Sequence, residues 1–94
     1  MILLSKSRKV IPKQGDIWIV SEGVSKQRPV VVVGKKNPFF VASLKDTFIE
    51  DGFSYDFDWF SAGLRRKSYI RLNKIYEVDE VQFTRKIGRL TRKD

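Results

Sequence analysis

Three short runs rich in β-branched and aromatic residues follow one another early in the chain: DIWIV (Asp16 to Val20), RPVVVV (Arg28 to Val33) and FFVASL (Phe39 to Leu44). Such runs suit half-buried or fully buried strands. The polar stretches between them, SEGVSKQ and GKKNP, carry the Gly, Asn, Pro and Ser that punctuate hairpins. The first half of the chain therefore predicts a three-stranded antiparallel meander. In FSYDFDW, Phe53, Tyr55, Phe57 and Trp59 alternate with Ser54, Asp56 and Asp58, a period of two that predicts a fourth strand with one buried and one wet face. SYIRLNKIYEVD predicts a fifth. There Ile70 and Leu72 share one parity and Ile75 takes the other, so a β-bulge is expected near Asn73 and Lys74.

The last segment, DEVQFTRKIGRLTRKD, changes period. Phe83, Ile87 and Leu90 are spaced four and three apart, with Asp79 as an N-cap and Gln82 three residues later. This predicts a short C-terminal helix ended by Gly88. Strands at even spacing with turn chemistry between them make the chain mainly β, a small and strongly bent sheet or SH3-like barrel of about five to six antiparallel strands. The 94 residues contain no internal repeat, low-complexity tract or linker and are read as a single domain, 1–94.

Composition removes several classes of chemistry. There is no cysteine for a disulfide or a thiolate metal site, and no histidine to ligate metal or move protons. Bound metal is not expected, and no cofactor is implied. Aromatic residues at 13% supply enough area for a core without staples. The opening MILLSKSRKV has too few apolar residues for a signal peptide, and no apolar run reaches the roughly 18 residues of a membrane span. A cytoplasmic location away from membranes is the expectation.

The formal net charge of +8 is unevenly spread: residues 1–47 carry nine basic and three acidic groups, residues 48–94 ten and eight. A surplus of this size favours polyanions or acidic protein segments, although a soluble protein can simply be basic. Arg28 stands where a buried strand begins, with Pro29 restricting the backbone beside it. On these residues alone it is either an edge-strand arginine with a solvated head or an anion-binding group.

GDIWIV, RPVVVV and AGLRRKSYIRLNKIYEVDEVQFTRKIGRL occur in the order and form seen in the MazF/PemK family of toxins from bacterial toxin–antitoxin systems, which the chain resembles over roughly residues 12 to 91. The last block is the most specific, through Leu64, Ser68, Asn73-Lys74-Ile75, Gln82-Phe83 and Lys86-Ile87-Gly88-Arg89-Leu90. The resemblance implies a homodimeric, metal-independent endoribonuclease that cuts single-stranded RNA by attack of the ribose 2′-hydroxyl, and that is neutralised by an antitoxin with an acidic tail. It implies a catalytic role for Arg28, whose fork would clamp the phosphate and stabilise the transition state.

The chain departs from the family at three places. Lys45 stands at the expected catalytic threonine, with Ser43 and Thr47 two residues either side on the same strand face. Only SEGVSKQ separates the first strand from Arg28, and the sequence stops at Asp94, where family members usually continue into a last helix. The candidate catalytic set is thus Arg28, Ser43, Lys45 and Thr47. Lys26, Gln27, Lys35 and Lys36 of the hairpins, with Asn73 and Lys74, are the candidate RNA contacts. The alternative is a non-catalytic module on the same fold that holds an acidic protein segment or nucleic acid.

Other features have plainer readings. Asp56 and Asp58 suit a solvated strand face, and the Phe53–Trp59 stripe suits a core face, with Tyr55 and Trp59 as possible base-stacking exceptions. The basic residues Arg85, Lys86, Arg89, Arg92 and Lys93 suit either RNA phosphates or the solubility of the expected helix.

Overall fold

The structure, a computed structural model, describes residues 10–92. Lys13, which is among them, opens a turn that launches the sheet: its N–H donates to the Asp16 carboxylate at 2.9 Å, and the Asp16 N–H returns to the Lys13 carbonyl at 2.9 Å. Gly15 sits at the positive φ this turn requires. Six strands follow: β1 Asp16–Ser21, β2 Gln27–Val32, β3 Phe39–Lys45, β4 Ser54–Asp56, β5 Tyr69–Val78 and β6 Phe83–Arg89. All pairings are antiparallel in one sheet of order β4-β5-β3-β2-β1-β6. The fold is mainly β, and among the described residues no helix is long and apolar enough to cross a membrane.

The valines of RPVVVV follow one another without a polar break because both faces of the strand are covered there. On one face Ile17, Val31, Ala42 and Leu44 pack with Phe57, Ala62 and Ile70. On the other, Trp18, Val20, Val30, Val32, Phe39 and Val41 pack with Val78, and Phe83 closes edge-on against Phe39 and Trp18 at 5.3 and 5.6 Å. The segment that leaves β4 at one end of the sheet crosses to β6 at the other, where the Arg89 N–H donates to the Ala62 carbonyl at 2.9 Å. Gly88 permits that approach. A Cβ there would stand 1.8 Å from the Ala62 oxygen.

The bulge expected near Asn73 and Lys74 is present and larger than a single residue. Ala42 faces Ile75 while the next residue, Ser43, faces Arg71, so Leu72, Asn73 and Lys74 have no partner on β3.

The expected C-terminal helix is absent among the described residues. Asp79 and Gln82 do form a capping box, but it starts only one 3₁₀ turn, Glu80–Gln82, before the chain extends into β6. The misleading spacing has a physical source: β6 slips register against β1 twice, leaving Thr84 and Ile87 as extra residues. Four apart, Phe83 and Ile87 would share a face in a regular strand; the bulges instead send Phe83 to the Trp18 and Phe39 side and Ile87 to the Ile17 side, so both are covered without a helix.

FSYDFDW also departs from expectation. Only Ser54–Asp56 pairs, after which the chain turns with Trp59 N–H bonded to the Phe57 carbonyl at 2.8 Å. Phe57 is buried and Trp59 packs against it, but Phe53 and Tyr55 remain 46% and 39% exposed, so the stripe is not a continuous core face. An edge strand this short has no neighbour on its outer side to cover them.

Candidate functional site

The β1–β2 hairpin brings an acid onto Arg28. Val20 faces Arg28 and Ser21 faces Gln27, and the loop beyond closes through Glu22 N–H to the Lys26 carbonyl at 2.8 Å. Glu22 Oε1 then lies 2.8 Å from Arg28 Nε, a charge contact without the alignment of a hydrogen bond. The other carboxylate oxygen, Oε2, accepts the Tyr76 hydroxyl. Tyr76 reaches this position because β5 resumes its pairing after the bulge, with Tyr76 opposite Val41. Burial, then the Glu22 carboxylate, push the Tyr76 phenol up to about 12, while Ser43 and Arg28 act on it in the opposite direction.

These groups line a cleft of about 430 Å3 that also receives Lys74 and Glu77. Gln82 closes one wall, its side-chain amide donating to the Ser21 carbonyl at 3.2 Å. Within one small space a carboxylate touches both a guanidinium and a protonated phenol. Together they can accept a proton, hold an anion and return a proton.

Of the residues singled out from the sequence, Arg28, Ser43 and Lys74 meet in this cleft. Lys45 and Thr47 do not. The β2–β3 ladder ends at Val30 opposite Ser43, before Arg28 could face Lys45; both Lys45 and Thr47 are exposed, and the Thr47 hydroxyl donates to Asp46 at 3.2 Å. Lys26 and Gln27 sit in the neighbouring hairpin, where Gln27 Oε1 accepts a long contact of 3.4 Å from Thr84. Lys35 and Lys36 lie past the far end of β2, roughly 20 Å from Arg28 at the rise of an extended strand. Asn73 is exposed in the bulge.

Glu22 and Tyr76 were not anticipated. Glu22 is the only acid in SEGVSKQ, and its closeness to Arg28 follows from the hairpin register. For Tyr76 the signal was the parity slip, which decides the face it takes.

Two further charges are buried for structural ends. Asp16 is held by Arg89 at 2.6 Å, Lys86 at 3.5 Å and the Trp18 indole at 3.4 Å, pinning the start of β1 to the end of β6. Burial works against its charge, but the Lys13 N–H, Trp18 and the two cations outweigh it and hold its carboxyl below the usual range. Arg71, buried on β5, takes Asp51 in a two-pronged grip at 2.9 and 2.6 Å and also donates to Ser54 at 2.9 Å. The Arg71 fork, helped by the Phe53 N–H, lowers the Asp51 carboxyl to about 2. Among the described residues no group of three or more His, Cys, Asp or Glu side chains gathers as a metal site would need. The chain matches no protein-family model, and a search of curated proteins likewise found no match.

Proposed function

We propose that the protein is an endoribonuclease that cuts single-stranded RNA through attack of a ribose 2′-hydroxyl on the adjacent phosphate, with Glu22, Arg28 and Tyr76 as its reacting side chains. The observation that carries this reading is their contact within one cleft: Glu22 touches both Arg28 and the Tyr76 hydroxyl. Glu22 takes the proton from the 2′-hydroxyl as the new O–P bond forms. Arg28 turns its remaining N–H donors on the phosphate and stabilises the added charge. Tyr76, which keeps its proton at neutral pH, gives it to the leaving 5′-oxygen as the P–O bond breaks. The proton gained by Glu22 then passes to the Tyr76 phenolate along their hydrogen bond, restoring both groups. The products are a 2′,3′-cyclic phosphate and a 5′-hydroxyl.

This assignment keeps Arg28 from the MazF/PemK-like expectation and moves the partner role from Lys45 and Thr47 to Glu22 and Tyr76. The closed SH3-like barrel, the homodimer and neutralisation by an acidic antitoxin tail belong to the same proposal. The hydrogen bond from the Arg89 N–H to the Ala62 carbonyl supports the curvature a barrel needs. A second reading, a non-catalytic binding module, has one observation in its favour: Glu22 already occupies the Arg28 head.

The deciding experiment is incubation of the protein with a long mixed-sequence RNA in chelator, with Arg28→Ala, Glu22→Gln and Tyr76→Phe alongside and the cut ends mapped. Cuts ending in 2′,3′-cyclic phosphate that vanish in Arg28→Ala and Glu22→Gln are the expected result. Intact RNA in every lane, from protein shown to be folded, would leave the binding module in its place.

A further inference from the structure

A second cleft, of about 480 Å3, opens beside the outer edge of β6 and is lined by Gly63, Arg65, Arg85, Lys86 and Ile87. Its three charged side chains are all cations. Lys86 lies 3.5 Å from Asp16, but that buried carboxylate is held more closely by Arg89 at 2.6 Å. Arg65 and Arg85 have no ion-pair partner among the described residues.

The cluster joins separate parts of the chain. Arg65 follows the segment that crosses from β4, whereas Arg85 and Lys86 belong to β6, and the two are locked together where Gly63, at φ +101°, meets Ile87 and Gly88. A Cβ on Gly63 would stand 2.9 Å from the Ile87 carbonyl oxygen. Cations on an edge strand deter pairing with other chains, which accounts for Arg85 and Lys86. It does not account for Arg65, which comes from a different segment and adds like-charge repulsion. Lys86 lines the cleft but directs its ammonium toward Asp16, which leaves the two arginines, whose guanidinium forks suit an anion with several acceptor oxygens.

We infer that this cleft is a second anion site that takes a backbone phosphate of single-stranded RNA, gripping the strand without cutting it; the inference rests on the ribonuclease reading for its choice of ligand. The site contributes affinity and salt dependence and leaves the chemistry to Glu22, Arg28 and Tyr76.

The test is fluorescence-anisotropy titration of a short 2′-O-methyl RNA, which cannot be cut by 2′-hydroxyl attack, over a series of salt concentrations. Arg65→Ala/Arg85→Ala should raise Kd about tenfold at low salt and flatten the plot of log K against log salt by about 0.7, the change for one lost phosphate contact on a single strand. Arg65→Lys/Arg85→Lys should restore most of both, and cleavage of saturating unmodified RNA should keep its wild-type rate. An unchanged salt slope in the double alanine protein overturns the site. Displacement of the RNA by poly-glutamate at matched charge, lost in the same variant, overturns RNA as the ligand in favour of an acidic protein segment. Because binding is read without cleavage, a flattened slope with no cutting by any protein upholds the phosphate site while removing the nuclease reading.

Discussion

The Arg28 cleft is lined by two cations, Arg28 and Lys74, and two carboxylates, Glu22 and Glu77, whereas the cleft beside β6 is lined by Arg65, Arg85 and Lys86 and no carboxylate, although Lys86 reaches Asp16 at 3.5 Å. Both openings are polar and similar in size, yet they suit different work. A balanced cluster costs little to assemble, holds its members in fixed orientation and has weak long-range pull on a charged ligand. An unbalanced one pulls strongly, orients weakly and fades with salt. The formal charge of +8 is therefore a poor guide to where chemistry happens. On the proposed reading the open cations beside β6, and not the balanced cleft, are where RNA is gripped.

The largest expected effect falls on the balanced cleft. Arg28→Ala should lower RNA cleavage about 100- to 1,000-fold, as loss of a transition-state anion donor does elsewhere, with the Kd for uncleavable RNA changed far less. Single-turnover cleavage beside anisotropy separates the two quantities. If Arg28→Ala instead abolished binding and Arg65→Ala/Arg85→Ala abolished cleavage, the division of labour would be reversed.

Gly88→Ala would break the comparison from the other side. A Cβ overlapping the Ala62 carbonyl must push the crossing segment off β6, at a cost of roughly 3 kcal/mol for overpacking. Urea denaturation should show the loss. RNA affinity should fall in the folded variant, because Arg65 loses its place, while the Glu22–Arg28–Tyr76 contact remains. Smaller again is the tenfold weakening of binding set out above for the paired alanine changes at Arg65 and Arg85.

The smallest effects lie at the extremes of pH. Asp51 has its carboxyl lowered from 3.8 to about 2 by Arg71, so its share of stability is present above about pH 4 and is lost as pH falls toward 2. Asp51→Asn should flatten the acid limb of a denaturation profile. Tyr76 has its phenol raised from 10.0 to about 12, so its share is present below pH 10 and is lost as pH rises toward 12. Tyr76→Phe should flatten the alkaline limb and leave the acid one alone.

Much of the sheet was legible in the sequence. DIWIV, RPVVVV and FFVASL became β1 to β3 within a residue or two, and the parity slip in SYIRLNKIYEVD marked a real bulge. KIGRL was misread because both faces of β6 are partly covered, so that Phe83 and Ile87, sent to opposite faces by the bulges, mimic a helical spacing. Only pairing with β1 makes that segment a strand. In the candidate site Arg28 stood out beside its proline and Ser43 and Lys74 joined it, but Lys45 and Thr47 fell outside when the β2–β3 ladder ended early. Glu22 and Tyr76, 54 residues apart, meet through a hairpin and a bulge whose combined effect no local pattern expresses.

By itself, then, the sequence determined the strand-forming runs, the turns between them, the absence of histidine and cysteine chemistry, and the excess of positive charge. Those are properties of residue type and short-range spacing, where side-chain alternation and turn preference act over a few residues. The tertiary structure decided which charges are paired and which are left open. Ion pairing depends on distances of a few ångströms between segments far apart in the chain, and here those distances were set by strand register, by three bulges and by the close approach that Gly88 and Gly63 permit.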